Sequence, residues 1–183
     1  LGVTYQRPIR ITVYPDTGEL RDILVQSVEW VGAVAYPKHG LILMAATAAD
    51  SDWIEEVVPH ELSHLVLYAL TFNCQGGTVP TWLEEGLAMV GEGGLGGSAM
   101  MQFNQAISSN SLISLRSLAG GFSESSDRAN LSYSESYSVV NFLILRYGRN
   151  KMTALLENLR NGATADEALY TVYGFDTDGL EDA

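Results

Sequence analysis

The sequence has little of what several classes of protein require. With a single cysteine, Cys74, no disulfide can form within its 183 residues. Lysine occurs only at Lys38 and Lys151 and the formal net charge is −12, which argues against nucleic acid as a partner because phosphate backbones attract positive surfaces. No apolar run approaches the ~20 residues that a membrane-spanning helix requires. The negative charge would suit basic peptides, but we interpret it as a source of solubility.

Length and composition are those of a folded globular protein. The 183 residues, 46% hydrophobic and 17% charged, predict one domain over residues 1–183 with a sizeable core. We expect strands in about the first 50 residues and helices in about residues 51–183. The chain begins at Leu1 without a methionine and contains no signal peptide, so we expect an excised or processed piece.

The residue patterns predict an α+β fold in which an antiparallel or mixed sheet precedes a mainly helical half. Arg10–Tyr14 alternates like a strand, Pro15–Gly18 is typical of a turn, and Ile23–Trp30 fits either a strand or a short helix. The apolar runs Val31–Tyr36 and Leu41–Ala46 predict a hairpin, either strand of which could form the edge of the sheet. Helices are predicted around the segments Glu55–Leu70, Pro80–Val90, Asn130–Gly148 and Met152–Arg160 and after a capping pair, Thr164 and Glu167.

A glycine-rich segment, Gly91–Gly97, matches the letters G-x-G-x-x-G. The nucleotide-binding use of this pattern needs a strand before it and a βαβ unit around it. A predicted helix precedes it here, so we interpret the segment as a flexible loop that lines or covers a cleft.

Two of the three histidines lie in one pentapeptide, His60-Glu61-Leu62-Ser63-His64. Residues four apart share one face of an α-helix, so His60 and His64 can bind a single metal ion. Glu61 flanks that ion, and its carboxylate can take a proton from a metal-bound water, which is the use of H-E-x-x-H in zinc hydrolases. Pro59 leaves the start of this helix open. Either Asp52 is the N-cap, with Glu55 completing a capping box and the proline inside the helix, or the helix begins near Val57 with the proline in its first turn.

A catalytic zinc usually has a third protein ligand. His39 stands between Lys38 and Gly40 in what we interpret as an exposed turn, and Cys74 is interpreted as an ordinary loop thiol. A carboxylate after Pro80 is the better candidate. Thr81 and Glu84 have the spacing of a capping box, which leaves Glu85 on another face and free to coordinate.

The pentapeptide and the segment Trp82-Leu83-Glu84-Glu85-Gly86-Leu87-Ala88 together resemble the gluzincin metallopeptidases. The second motif of that family runs Trp-Leu-x-Glu-Gly-x-Ala, and its glutamate before glycine, here Glu85, is the third zinc ligand. From about Arg10 to Phe175 the chain resembles the small peptidase MA-like domains of bacterial proteins. The resemblance implies a Zn²⁺ cofactor held by His60, His64 and Glu85, a catalytic Glu61 and a peptide or protein substrate. It also implies a location outside the cytoplasm, because such domains are often secreted or anchored at the cell surface.

Two further expectations come from the resemblance. Members of the clan stabilise the oxyanion with a tyrosine or histidine, and we favour Tyr133 over Tyr137 because it lies nearer the start of its helix; the alternative is that both tyrosines are core residues. Gly32–Tyr36 resembles the Gly-Ala-Met-Glu-Asn strand of the clan's aminopeptidases, but Ala35 stands where their amine-binding glutamate should be. That departure favours an endopeptidase.

The leading hypothesis is therefore a zinc-dependent endopeptidase in which Glu61 activates a zinc-bound water. The alternative is a zinc-binding or degenerate peptidase-like domain that serves as a protein- or peptide-binding module. A weaker option is a zinc hydrolase that acts on a non-peptide bond. The oligomeric state is left open.

Overall fold

The computed structural model describes residues 5–24, 31–47, 49–73, 78–123 and 125–183. Cys74, Gly76, Gly77 and most of the segment predicted as strand or short helix, Ile23–Trp30, lie outside these ranges. The described strands are β1 (Arg10–Tyr14), β2 (Ala33–Tyr36) and β3 (Leu41–Ala45). The described helices are α1 (Thr17–Ile23), α2 (Ser51–Thr71), α3 (Thr81–Glu92), α4 (Gly97–Ser108), α5 (Leu115–Leu118), α6 (Ser126–Tyr147), α7 (Arg149–Arg160), α8 (Ala165–Tyr173) and α9 (Thr177–Glu181). This order confirms the α+β prediction.

The sheet is mixed and places β2 at an edge. Strand β3 is central in the order β1-β3-β2, parallel to β1 and antiparallel to β2. The predicted hairpin is confirmed, and its turn is a short 3₁₀ helix, Pro37–His39, closed by Gly40 with φ of +60°. His39 is exposed in this turn, as expected. Of the two hairpin strands, β2 is therefore the one with an open side in the described sheet.

The predicted turn Pro15–Gly18 is wrong in its second half. Asp16 caps α1 by accepting a hydrogen bond of 2.9 Å from the Glu19 amide, and Thr17 and Gly18 are the first helical residues. Aspartate favours turns and helix N-termini for the same reason, namely that its side chain accepts nearby backbone N–H groups. The residues Pro15–Gly18 therefore indicate correctly that the strand ends here, but not that a helix begins.

Helix α2 runs from Ser51 to Thr71 with Pro59 inside it, which resolves the alternative that the sequence left open. The residue before the helix is Asp50, not Asp52, and it makes no side-chain cap. Instead the Asp50 carboxylate accepts hydrogen bonds of 2.7 Å from both the amide and the hydroxyl of Thr47. This turn fixes the point at which the chain leaves the sheet and enters the helix that carries H-E-x-x-H.

The helical half packs around a leucine-rich core that joins α2, α3 and α6 to the C-terminal helices. The predicted end of α6 at Gly148 and the Thr164–Glu167 capping box of α8 are both confirmed. Helix α4 was not predicted, because its glycine-rich start resembles a loop. Within the described ranges, no helix combines the length and the hydropathy that crossing a membrane requires.

Glu135 on α6 is a buried carboxyl outside the histidine cluster. The residue is 5% exposed, and its two oxygens accept hydrogen bonds of 3.0 and 3.1 Å from the Ile113 amide. Burial raises the pKa of this carboxyl to about 7, against the lowering effect of the amide. The folded protein therefore holds a proton that the unfolded chain releases between pH 4.5 and 7.

A pH-dependent stability difference follows for Glu135→Gln. Because the folded state has the higher pKa, the contribution of Glu135 to the free energy of unfolding falls as pH rises through this window. Glutamine stays neutral and can still accept the Ile113 hydrogen bond, so at about pH 8 the variant should be more stable than wild type by about 1–2 kcal/mol. Near pH 4.5 the two proteins should be equally stable. Urea unfolding across this range measures the difference, and a difference that does not change with pH would contradict the assignment.

Candidate metal centre and cleft

The structure brings His60, His64 and Glu85 together at the contact between α2 and α3. Both histidines lie on one face of α2, and the Glu85 Oε2 atom lies 3.5 Å from His60 Nε2 and 3.7 Å from His64 Nε2. One atom from each of the three side chains lies within 4.8 Å of the other two. These are the three residues that the sequence nominates as ligands.

Two glutamates that the sequence did not assign to the site hold the other nitrogen of each imidazole. His60 Nδ1 donates to Glu92 Oε2 at 2.9 Å, and His64 Nδ1 donates to Glu84 Oε1 at 3.0 Å. Each Nε2 is thereby left to face Glu85. Metal-binding histidines usually donate their second N–H to a carboxylate in this way, which fixes the tautomer and the ring orientation.

The capping box predicted from Thr81 and Glu84 is wrong. Pro80 occupies the N-cap position of α3 without a side-chain cap, and Thr81 donates to the Ala119 carbonyl at 3.3 Å. Glu84 lies within the first turn, but its carboxylate extends to His64 instead of back to the start of the helix. A hydrogen bond from a charged histidine on the neighbouring helix is stronger for a carboxylate than a hydrogen bond from a backbone amide.

Carboxylates dominate the electrostatics of the cluster. Burial alone would lower the pKa of His60, but Glu85, Glu92 and Glu61 outweigh it and raise the pKa to about 10. Burial likewise opposes protonation of His64, yet Glu84 and Glu85 raise its pKa. The same negative surroundings that stabilise an imidazolium would stabilise a bound metal cation.

The residues fit a tetrahedral zinc ion. Glu85 Oε2 is buried and has no hydrogen-bond partner among the described residues, which is costly for a carboxylate oxygen unless it has another ligand. Zinc bonds of about 2.0–2.2 Å in a tetrahedron place neighbouring ligand atoms about 3.3–3.6 Å apart. Of the distances from Glu85 to the two imidazoles, that of 3.5 Å lies within this range and that of 3.7 Å lies about 0.1 Å above it. Two imidazole nitrogens and a carboxylate oxygen are also a donor set that zinc accepts.

Glu61 lies between the cluster and the edge strand. The residue is 7% exposed, and burial raises the pKa of its carboxyl above the usual range. His64 and His60 act in the opposite direction, as does a hydrogen bond that the carboxylate accepts from the backbone amide of Ala35 on β2. A carboxylate with a raised pKa and a fixed position is suited to proton transfer.

Of the two candidate tyrosines, Tyr133 is the one at the cluster. Its ring centroid lies 6.2 Å from that of His60 and 5.1 Å from that of Phe122, in edge-to-face geometry. Burial, followed by the charges of Glu85 and Glu61, raises the pKa of its hydroxyl, which therefore stays protonated and able to donate. The Tyr137 hydroxyl instead lies against Gly94, 2.7 Å from where a Cβ on that residue would stand.

A cleft of about 500 Å³ opens onto these side chains. Helix α2 supplies His60 and Glu61, the start of β2 forms one side with Gly32 and Ala33, and α3, α4 and α6 complete the lining. The loop predicted at Gly91–Gly97 is shorter than expected, because α3 continues through Glu92 and α4 begins at Gly97. Leu95 in this short connection lines the cleft, as expected of the loop.

Gly86 allows α3 to lie close enough to α6 for Glu85 to be held in place. A Cβ at Gly86 would overlap the Ser136 carbonyl oxygen and the Val140 side chain. The free energy of unfolding of Gly86→Ala should therefore fall by about 2–3 kcal/mol. Gly97→Ala is the matched control, since a Cβ there meets no atom within 4 Å. Urea denaturation measures both, and a Gly86→Ala protein as stable as the control would contradict this helix contact.

Comparison with known proteins agrees with the geometry. The family model of the peptidase MA superfamily matches residues 1–183, the whole chain. No curated protein and no solved structure matches the chain. Membership of this superfamily, which is typically metal-dependent, indicates a peptidase-type function, and His60, His64 and Glu85 form a possible metal site. The chain belongs to the peptidase MA superfamily.

Proposed function

We propose that the protein is a zinc-dependent endopeptidase of the gluzincin type. The observation that carries the proposal is the convergence of His60, His64 and Glu85 beside the buried carboxyl of Glu61. Four side chains that are costly to bury separately are placed together, and two of them, His60 and Glu61, line an open cleft next to an edge strand. The superfamily match supports the peptidase class.

His60, His64 and Glu85 are the proposed ligands. Bound there, Zn²⁺ would polarise the scissile carbonyl and lower the pKa of a water molecule toward about 7. Glu84 and Glu92 act as positioning residues, since each accepts the Nδ1–H of one histidine and keeps its Nε2 directed at Glu85.

Glu61 is the proposed general base and, later, general acid. Its carboxylate takes a proton from the attacking water and delivers it to the nitrogen of the departing amine. The raised pKa of this carboxyl makes it a stronger base than a solvated glutamate. The Ala35 hydrogen bond holds the carboxylate in place during both transfers.

Tyr133 is the proposed oxyanion donor. Tyr133 lines the cleft, and its ring lies beside that of His60. Because its pKa is raised, the hydroxyl keeps its proton while negative charge develops on the carbonyl oxygen of the substrate.

Strand β2 offers the substrate a backbone to pair with. The Gly32 carbonyl accepts from the Ala45 amide at 2.9 Å, so Gly32 faces the sheet. Alternation then turns the backbone groups of Ala33 and the carbonyl of Ala35 away from β3, where an extended peptide can pair with them, while the Ala35 amide donates to Glu61. Because Ala35 provides no carboxylate for a free amine, this edge suits the interior of a peptide and supports endopeptidase action.

The experiment that tests the function is cleavage of a peptide library by the zinc-loaded protein, analysed by mass spectrometry with and without a chelator. We expect internal cleavages that disappear on chelation. Zinc binding without any cleavage would overturn the peptidase proposal in favour of the binding-module alternative. Removal of single terminal residues would contradict the endopeptidase assignment alone.

A further inference from the structure

The cleft continues beyond the catalytic side chains along α2, toward the start of that helix. Trp53 and Glu56 line this end of the cleft together with Gly32. The benzenoid ring of Trp53 lies against Gly32, where a Cβ would stand 2.8 Å from the indole Cζ2 atom. An aromatic wall and a carboxylate thus stand side by side next to the edge strand.

Within the part of the chain that the structure describes, Glu56 is the carboxylate at this end of the cleft that has no hydrogen-bond or ion-pair partner. Glu92 accepts from His60, and Asp16 and Asp50, which line a neighbouring recess on the other side of Trp53, accept from Glu19 and Thr47. Glu56 is exposed, and no hydrogen bond or ion pair joins it to the described part of the chain. Neither the cleft nor the recess has a lysine or arginine among its described lining residues.

We infer that this end of the cleft binds a lysine or arginine side chain of the substrate, with its alkyl chain on Trp53 and its cationic group at Glu56. The inference rests on the proposed peptidase function and names its substrate class. Aromatic rings attract such cations across their faces, and the long alkyl chain of lysine or arginine packs well on an indole.

The spacing along the helix limits which substrate residue is recognised. Glu56 precedes His60 by four residues, which is about 6 Å along a helix that rises about 1.5 Å per residue. An extended peptide advances about 3.3 Å per residue. The basic residue should therefore lie about two positions from the cleaved bond, on the side nearer the start of α2.

The test uses heptapeptides of alanine and threonine that carry a single lysine, arginine, glutamine or glutamate at each position in turn. For wild type we expect kcat/KM to be roughly five- to tenfold higher with lysine or arginine than with glutamine at one position near the cleaved bond. In Glu56→Gln this ratio should fall to about one to two, and in Glu56→Lys the preference should pass to glutamate. Glu55→Gln is the matched control, because it removes the same charge from the neighbouring exposed residue of the same helix and should keep the wild-type ratio.

The same peptides separate this inference from the proposed function. Their dissociation constants are measured on zinc-loaded Glu61→Gln protein and on the same protein carrying Glu56→Gln or Glu55→Gln. Tighter binding of lysine peptides that is lost when Glu56 is replaced supports the inference, whether or not wild type cleaves them. Absence of cleavage by wild type would overturn the proposed function alone. If the ratio of the dissociation constants of the glutamine and lysine peptides were equal in the Glu56 and Glu55 variants, the net charge of −12 would attract basic peptides without a subsite, and the inference would be wrong.

Discussion

Replacing Glu61 by glutamine should lower kcat/KM for peptide hydrolysis by about 10²–10⁴-fold. The amide has nearly the same volume and can still accept the Ala35 hydrogen bond, but it cannot take a proton from water. Zinc should remain bound at about one ion per chain, since Glu61 is not among the three proposed ligands. Hydrolysis of one fluorogenic peptide, measured beside zinc content, tests both statements.

Glu55→Gln is the control for this prediction. Glu55 lies on the same helix, is exposed and is not part of the cleft lining, so the control should keep wild-type activity. If Glu61→Gln hydrolysed the peptide at the wild-type rate, another group would have to be the base. If it lost zinc as well as activity, the assignment of Glu61 as a base and not a ligand would be wrong.

Replacing Glu85 by alanine should weaken zinc binding by more than about a hundredfold. The change removes the oxygen that faces both histidines and leaves two imidazoles, which seldom hold zinc without a third protein ligand. Competition with a chromophoric chelator measures the affinity. The folded state should survive, because the buried Oε2 of Glu85 accepts no hydrogen bond from the described residues, so the change also removes an unsatisfied buried group.

His39→Ala is the control for the ligand set. His39 lies in the exposed turn between β2 and β3, so its removal should leave the zinc affinity unchanged. Equal losses of zinc affinity in Glu85→Ala and His39→Ala would mean that zinc binding does not distinguish the proposed ligand from a histidine outside the site. An unchanged affinity in Glu85→Ala would exclude Glu85 as a ligand.

The parts of the site that follow from local geometry could be predicted from the sequence. His60 and His64 share a helix face whatever the rest of the chain does, because the four-residue spacing alone places them there. Glu85 needed more than local geometry, and the resemblance of Trp82–Ala88 to a known motif supplied it. Both stretches lie on long helices whose existence is the easiest feature to predict.

The partners of the histidines could not be predicted, because they depend on how α3 packs against α2. Glu92 is separated from His60 by 32 residues in sequence, and the glycines around it favour a loop. The helix nevertheless continues through Gly91. A Cβ at this position would overlap the Ser63 hydroxyl, so the glycine is needed there for α3 to lie close to α2. Glu84 was misassigned for a related reason, since Thr81 and Glu84 have the spacing of a helix cap and only the fold shows that His64 lies within reach.

Other elements were missed because their sequences fit two structures equally well. Asp16 begins a helix where a turn was expected, and α4 begins at Gly97 in a stretch with the composition of a loop. The organisation of residues 1–183 as one domain and the location outside the cytoplasm both stay predictions.

The most direct test of the zinc centre is to remove all metal from the protein and then return zinc in steps while following the cleavage of a peptide. We expect no cleavage at the start, a linear rise, and a plateau at about one zinc per chain. In Glu85→Ala the same additions should restore little activity. Cleavage by the metal-free protein, or no cleavage at saturating zinc, would contradict the claim that His60, His64 and Glu85 form the centre of a zinc peptidase.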